Sequence, residues 1–284
     1  MIKIPLLLTG LGFFILLTGL FLINCESGQN YLSPEGPRFT GKYAVHPKTF
    51  DDTLKVASFN IQFSEKIEEA IYTLRNSPDF EETDILLLQE MDETGTEIIS
   101  KALGYDYVYY PATIHPQSDK NFGNAILSIW PINNTRKILL PHEFYINKTR
   151  RIAVAGTVSA GNWQIRVFNV HIATIALSEE KRLAQVDSVM RSISGHHSRI
   201  IVGGDFNTIF EKNIKDLDYI FTLSEFIRAS KGSGLTIEKG PLDFTVDHIY
   251  TKGFHVIENG IIETEASDHN LVWVKLVADN RSDQ

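Results

Sequence analysis

Separate stretches of this chain bring an Asp, Glu, Asn or His to the point where an extended apolar run meets a loop. Asn60 lies near the end of the first such run, and Glu90 follows Ile85-Leu86-Leu87-Leu88-Gln89. His171 ends Val167-Phe168-Asn169-Val170, and Asp205 and Asn207 follow Ile200-Ile201-Val202-Gly203-Gly204. Asp268 and His269 stand just before Asn270–Val277. Ligand sites gather where strand ends meet loops, so these residues are candidates for one converging site. Taken singly, each has a structural use. Asn60 can bond the backbone of a turn, Glu90 can cap the helix that starts near Asp92, and His171 can be a satisfied strand-end histidine. Gly203-Gly204-Asp205-Phe206-Asn207 is harder to dismiss, because two glycines permit a tight backbone course and an Asp and an Asn then share one side. Ser267-Asp268-His269 joins a hard oxygen ligand to a titratable imidazole, which suits metal-assisted acid–base work.

The hydrophobic pattern supplies the elements that must position these groups. From Leu54 onward, predicted strands alternate with predicted helices. Leu54–Ile61 reads as a strand, Glu65–Asn76 as a helix with Ile67, Ala70, Ile71 and Leu74 at helical spacing, and Asp84–Leu88 as a buried strand. Asp92–Leu103 reads as a helix, followed by strands at Tyr105–Tyr110, Asn124–Ile129, Ile152–Val158 and Gln164–His171. Ser178 is placed to cap a helix striped with Leu183, Val186, Met190 and Ile193, with Glu179 and Glu180 in its first turn. Arg199–Gly204 reads as another buried strand and Asp216–Ala229 as a helix. Val246–Tyr250, Phe254–Ile257 and Asn270–Val277 close the domain as strands. Strands outnumber helices, which predicts two packed sheets with helices on their outer faces.

From about Leu54 to Val277 the chain resembles the endonuclease/exonuclease/phosphatase superfamily, the deoxyribonuclease-like hydrolases. The matching stretches are Ser58-Phe59-Asn60, Leu88-Gln89-Glu90, Gly123-Asn124-Ala125-Ile126-Leu127-Ser128, Asn169-Val170-His171, Gly204-Asp205-Phe206-Asn207, Val246-Asp247-His248-Ile249 and Ser267-Asp268-His269, in the family's order. The resemblance implies a four-layer α/β sandwich, two packed mixed β-sheets flanked by helices, that hydrolyses phosphate esters with a divalent metal. It implies that Glu90 is the main ligand of Mg²⁺, or of Mn²⁺ in its place, with Asn60 and Asp268 in or next to the coordination shell. It also implies that Asp205 orients or deprotonates the attacking water and that Asn207 donates to a phosphoryl oxygen. His269, held by Asp247, would serve as an acid–base or phosphate-contacting imidazole. His171 would contact the phosphate or assist the leaving oxygen, and which histidine gives the proton stays open.

Arg151 resembles a family arginine and ends a basic segment of Arg136, Lys137, Lys148, Arg150 and Arg151 against one acid, Glu143. This segment reads either as a phosphate-binding rim or as a solvated loop and strand edge. Trp130 stands where many family members carry a basic or tyrosine residue, a departure expected to alter substrate contacts.

The N-terminus reads differently from the rest. After Lys3 an apolar run extends from Ile4 to Ile23 and stops at Asn24-Cys25, where the chain turns polar. This resembles a bacterial lipoprotein signal with Cys25 lipidated, although Asn24 replaces the usual small residue. An uncleaved membrane anchor is the alternative. Either way the expected product is membrane-anchored and extracytoplasmic. Residues 26–53 read as a flexible linker, 54–278 as the catalytic domain and 279–284 as a tail.

Composition narrows the function further. The 284 residues are 43% hydrophobic and 22% charged, which excludes a disordered or collagen-like chain, and the single Cys25 excludes an intrachain disulfide. A formal net charge of −8 does not steer the whole protein toward phosphates, so a local patch or a bound cation must attract them. The expected partners are a phosphate-ester substrate, either nucleic acid or phospholipid headgroup, and a membrane through the N-terminus, with the protein a monomer. A surface-exposed binding lipoprotein on a disabled form of the fold is the other reading. Retention of Asn60, Glu90, Asp205, Asn207, Asp247, Asp268 and His269 argues against it, since decay of activity would remove at least one.

Overall fold

The apolar runs predicted as buried strands form the centres of two sheets. A computed structural model describes residues 28–279 apart from 45–48, 117, 194, 196, 240 and 241. The N-terminal apolar run, Cys25 and residues 280–284 of the tail lie outside the described residues. The first sheet holds β1 (Gln29–Asn30), β2 (Phe39–Gly41), β3 (Thr53–Asn60), β4 (Ile85–Met91), β5 (Asp106–Ile114) and β6 (Asn121–Ser128). The second holds β7 (Ile132–Glu143), β8 (Arg150–Ala160), β9 (Trp163–His171), β10 (Arg199–Asp205), β11 (Ile227–Arg228) and β14 (Asp247–Lys252). β12 (Ile237–Lys239) and β13 (Leu242–Phe244) make a small ribbon, and β15 (Phe254–Ile262) and β16 (Leu271–Ala278) return to the first sheet.

The strand orders are β1-β5-β6-β4-β3-β16-β15, with β2 also on β5, and β11-β14-β10-β9-β8-β7. β3 runs parallel to β4, and β9 parallel to β10, among otherwise antiparallel neighbours, so both sheets are mixed.

Strand side chains alternate between faces, and here both faces are covered. Val56, Leu87, Val154, Val167, Ile201 and Val274 meet between the sheets. On the outer face of the first sheet, α1 (Ile67–Asn76) and α2 (Glu93–Leu103) bury Ile71, Leu74 and Ile99 with Phe59, Leu86 and Leu88. On the second, α3 (Glu179–Ser192) and α4 (Glu211–Thr222) bury Val186, Val189, Leu217 and Phe221 with Val170, Val202 and Tyr250. The result is the four-layer sandwich that the resemblance implied.

Several expectations need correction. Within the stretch read as a flexible linker, β1 and β2 both pair with β5, and buried Lys137 donates to Tyr31 O (2.8 Å) and Gly36 O (2.7 Å). Strands of two and three residues are too short to show a period. β7 overlaps the basic segment and is an edge strand, in line with the strand-edge reading of that segment, although its exposed polar side chains hide its alternation and its bounds. The helix expected over 216–229 instead spans Glu211–Thr222, and Ile227–Arg228 adds to β14. Ser178 precedes α3, but its side chain makes no capping bond. Trp130 is buried, its indole Nε1 donating to Asp84 Oδ1 at 3.0 Å, so it serves the core and not a substrate contact.

Candidate active site

Three neighbouring strands of the second sheet place one row of the site. Asp205, the last residue of β10, lies in register with His171 on β9 and with Asp247 on β14. Residues in register across a sheet share a face, so the three side chains converge. Gly204 makes that register accessible: its φ is 142°, and a Cβ there would lie 2.0 Å from Val170 O.

The first sheet brings the second row. Asn60 ends β3, and Glu90 lies near the end of β4, inside a pairing irregularity between Leu88 and Met91. Glu90 has φ 59°, a left-handed conformation uncommon for a side chain of this kind. This break in the strand directs the Glu90 carboxylate to Phe63 N, at 3.2 Å. Asp92 caps α2 through Oδ1 and Gly95 N (2.6 Å), so the capping use considered for Glu90 is already filled. The loop before β16 supplies Asp268 and His269. Ser267 Oγ holds this loop to β3 by donating to Asn60 O at 2.7 Å.

The side chains form one connected group. Asn60 Nδ2 donates to Asp205 Oδ2 at 3.1 Å. His171 Nε2 lies 3.5 Å from Asp205 Oδ2 and 3.8 Å from Glu90 Oε1, joining the two rows. Asp247 Oδ2 is 2.8 Å from His269 Nδ1. Asn207, expected to donate to a phosphoryl oxygen, instead uses its amide on Ile172 O (2.9 Å) and Asp205 Oδ2 (3.1 Å), while its backbone N–H donates to Asp205 Oδ1 (2.8 Å). Its geometry therefore fixes the Asp205 carboxylate.

Burial sets the electrostatics. The Asp205 carboxyl is pushed well up by desolvation and by Asp247 beside it, with His269 opposing. Glu90 is raised by burial, against the attraction of Arg151 and His269. His171 is driven well below the usual imidazole range by burial and by Arg151, so it is neutral. Burial also works against charge on His269, but Asp247, Asp205 and Asp268 together raise it, and it is held protonated.

Among the described residues, the carboxylates Glu90, Asp205, Asp247 and Asp268 thus share the cleft with two cations, Arg151 and protonated His269. That surplus of negative charge fits a divalent cation. Asp205, Asp247 and His269 each offer a ligand atom, all within 4.8 Å of one another. Because Asp247 already pairs with His269, the oxygens of Glu90, Asn60 and Asp268 suit a hard cation better.

Of the basic segment, only Arg151 reaches this site. Arg136 bonds Ser192 O, Lys137 is tied to the backbone of residues 31 and 36, and Lys148 and Arg150 pair with Glu143. The phosphate-rim reading therefore reduces to one residue.

A buried amide buckle beneath the site was missed by sequence reasoning. Gln89 Nε2 donates to Asn169 Oδ1 (2.7 Å), and Asn169 Nδ2 donates to Leu88 O (2.8 Å) and Ala125 O (2.7 Å). Asn124 Nδ2 donates across to Ile152 O at 3.2 Å. These bonds stitch β4 and β6 to β8 and β9. The available signal was a polar amide inside each apolar run.

The sequence model of the Endonuclease/Exonuclease/phosphatase family matches residues 57–269. The chain belongs to this family. Its members hydrolyse phosphoester bonds and depend on metal. A UPF0294 protein of Erwinia tasmaniensis is 25% identical over 235 residues, covering 81% of this chain and 83% of that protein. A UPF0294 protein of Yersinia pseudotuberculosis is 26% identical over 122 residues, which span 39% of this chain and 42% of the relative's length.

Among solved structures, a family protein from Leptotrichia buccalis C-1013-b aligns with TM-score 0.65 at 18% identity, covering 78% of this chain and all but a residue or so in a hundred of that one (99%). The catalytic domain of human Nocturnin aligns with TM-score 0.64 at 20% identity, covering 85% of this chain and 98% of that one. A mannosyl-6-phosphatase of Bacteroides thetaiotaomicron VPI-5482 gives 0.61 at 20%, covering 79% and 99%. These likenesses show the fold.

Proposed function

We propose that this protein is a divalent-metal-dependent phosphodiesterase, anchored to a membrane by its N-terminal segment and exposed outside the cytoplasm. The observation that carries the hydrolytic part is the buried surplus of carboxylates beside one arginine and one protonated histidine. The anchoring rests on the Ile4–Ile23 apolar run and Cys25. Among the described residues no helix is long and apolar enough to cross a membrane.

In this reading Glu90, Asn60 and Asp268 hold Mg²⁺ or Mn²⁺. When bound, the cation offsets negative charge on the phosphate and makes a water more acidic. Arg151 draws the phosphate in. Asp205, its pKa raised but its carboxylate steadied by Asn60 and Asn207, takes a proton from the attacking water as the new O–P bond forms. The ester P–O bond opposite breaks. His269, protonated and oriented by Asp247, contacts the phosphate and gives a proton to the leaving oxygen. His171 is neutral and acts by position, its Nε2 lying between the Glu90 and Asp205 carboxylates.

Hydrolysis of bis-p-nitrophenyl phosphate tests the reading. Turnover with Mg²⁺ should vanish in EDTA and in Glu90→Ala. Absence of turnover with Mg²⁺, or turnover unchanged in EDTA or in Glu90→Ala, refutes it; the first result favours a binding protein on this fold.

A further inference from the structure

The strongest unexplained feature is the surface around the mouth of the cleft. A cavity of about 160 Å³ opens beside Arg151, with Phe63, Phe122, Phe144, Thr149 and Leu177 among its walls. Two loops form its rim, and each carries a large apolar side chain out into solvent. Tyr145 follows the wall residue Phe144 and is 65% exposed; Ile175 precedes the wall residue Leu177 and is 54% exposed. Their exposure contributes nothing to the core. Tyrosine and isoleucine at a protein edge are suited to a lipid–water boundary, where a ring or branched chain enters the headgroup layer.

The path of the chain says what covers this rim. Gly28 N donates to Asn147 O at 2.6 Å, and Asn30 Nδ2 donates to Lys148 O at 2.7 Å. A Cβ on Gly28 would lie 2.5 Å from Thr149 Cγ2, so the backbone there lies directly against a cavity wall. Cys25 precedes Gly28 by three residues and Ile23 by five. Extended chain covers at most about 3.6 Å per residue, so Cys25 lies within about 11 Å of Gly28. The described chain therefore begins against the same loop that carries Tyr145. A tether attached elsewhere would leave the cleft free to face any direction; this one does not.

We propose that the face bearing the mouth of the cleft docks on the membrane that holds the N-terminal run. Tyr145 and Ile175 enter its headgroup layer, and the phosphate esters that reach Arg151 come from the lipids of that layer. The inference rests on the anchored phosphodiesterase reading above and selects the phospholipid headgroup as substrate class. Arg151 over the cavity disfavours a cationic headgroup group lodged beside it and favours neutral or anionic ones.

The test uses the full chain with vesicles of phosphatidylethanolamine and phosphatidylglycerol whose acyl chains are either plain or brominated. Tryptophan is introduced as Tyr145→Trp, Ile175→Trp or Ile257→Trp, with the parent chain as blank because Trp130, Trp163 and Trp273 are buried. Ile257 is exposed and lies toward the far end of the first sheet from Asn60. The expected result is flotation with the vesicles and loss of roughly half the added emission at 145 and 175 on bromination, with none at 257. Flotation without quenching at 145 and 175 overturns the docking and leaves the anchor standing. Failure to float overturns both.

A second measurement concerns the substrate. Tyr145→Asp should cut hydrolysis of the vesicle's own phospholipids at least several-fold more than hydrolysis of soluble bis-p-nitrophenyl phosphate. Equal cuts, or cleavage of the soluble ester alone, overturn the headgroup source. No turnover of either ester overturns the phosphodiesterase reading and with it the headgroup source, while quenching still decides the docking.

Discussion

Asp247 is fully buried and makes one side-chain hydrogen bond among those described, to His269 Nδ1, while its other oxygen is unpartnered. Its contribution is therefore to orient the imidazole and keep it charged. Asp247→Asn preserves shape and removes that charge, so turnover should fall by about 10²–10⁴-fold, the usual worth of a positioned acid or base. The same variant should lower the His269 pKa, which an NMR titration of the ring protons will follow; an unchanged pKa would contradict the pairing. Glu90→Gln changes one oxygen to an amide. It should abolish Mg²⁺ binding by calorimetry while thermal unfolding without metal stays the same or moves upward, because a desolvated carboxylate has been removed. These residue types were legible in the sequence, as was their convergence. The division of labour between His171 and His269 was not, since it depends on which imidazole has a carboxylate at hydrogen-bond distance on Nδ1 and which is buried beside Arg151 with its Nδ1 unpartnered.

At the scale of elements, the site depends on register. Asp205, His171 and Asp247 face one another because β9, β10 and β14 are neighbours in phase. Gly204→Ala would drive a methyl into Val170 O and force apart β9 and β10. It should lower the melting temperature and turnover together. The amide buckle links the sheets just below. Asn169→Leu should cost about 1–3 kcal/mol in urea unfolding, by removing the bond from Gln89 Nε2 and the two bonds to the carbonyls of Leu88 and Ala125. β14 also carries His248, fully buried, bonded to Thr208 Oγ1 at 2.7 Å and depressed by burial to about 3. The unfolded chain binds a proton at this imidazole below its ordinary value near 6.5, whereas the folded chain does not until about 3. Stability should therefore be lost as pH falls from about 6.5 toward 3, and His248→Gln should flatten that slope in pH-dependent melts. Strand positions were legible wherever apolar runs were continuous. The bounds of β7 and the two short N-terminal strands were hidden, because edge pairing leaves no hydrophobic period.

For the molecule as a whole, the two-sheet architecture makes a floor and a cleft from stretches far apart in the chain: Asn60 and Ser267 touch across more than two hundred residues. Lys137 ties the N-terminal stretch down at Tyr31 O and Gly36 O. Removing the amine in Lys137→Met should loosen β1 and β2, with faster amide hydrogen exchange at residues 29–41 and little change at β3 and β4. The family's ordered motifs and the two-sheet fold with its outer helices could be read from the amino-acid order, since each depends on local composition, periodicity or a motif within a few residues. Tertiary structure alone decided three other matters. It retired most of the basic segment from the cleft, because those cations find partners on neighbouring strands and loops. It moved Trp130 into the core, because Asp84 lies across from its indole. It also brought the start of the described chain to the rim of the cleft, because hydrogen bonds between segments more than a hundred residues apart leave no trace in either segment.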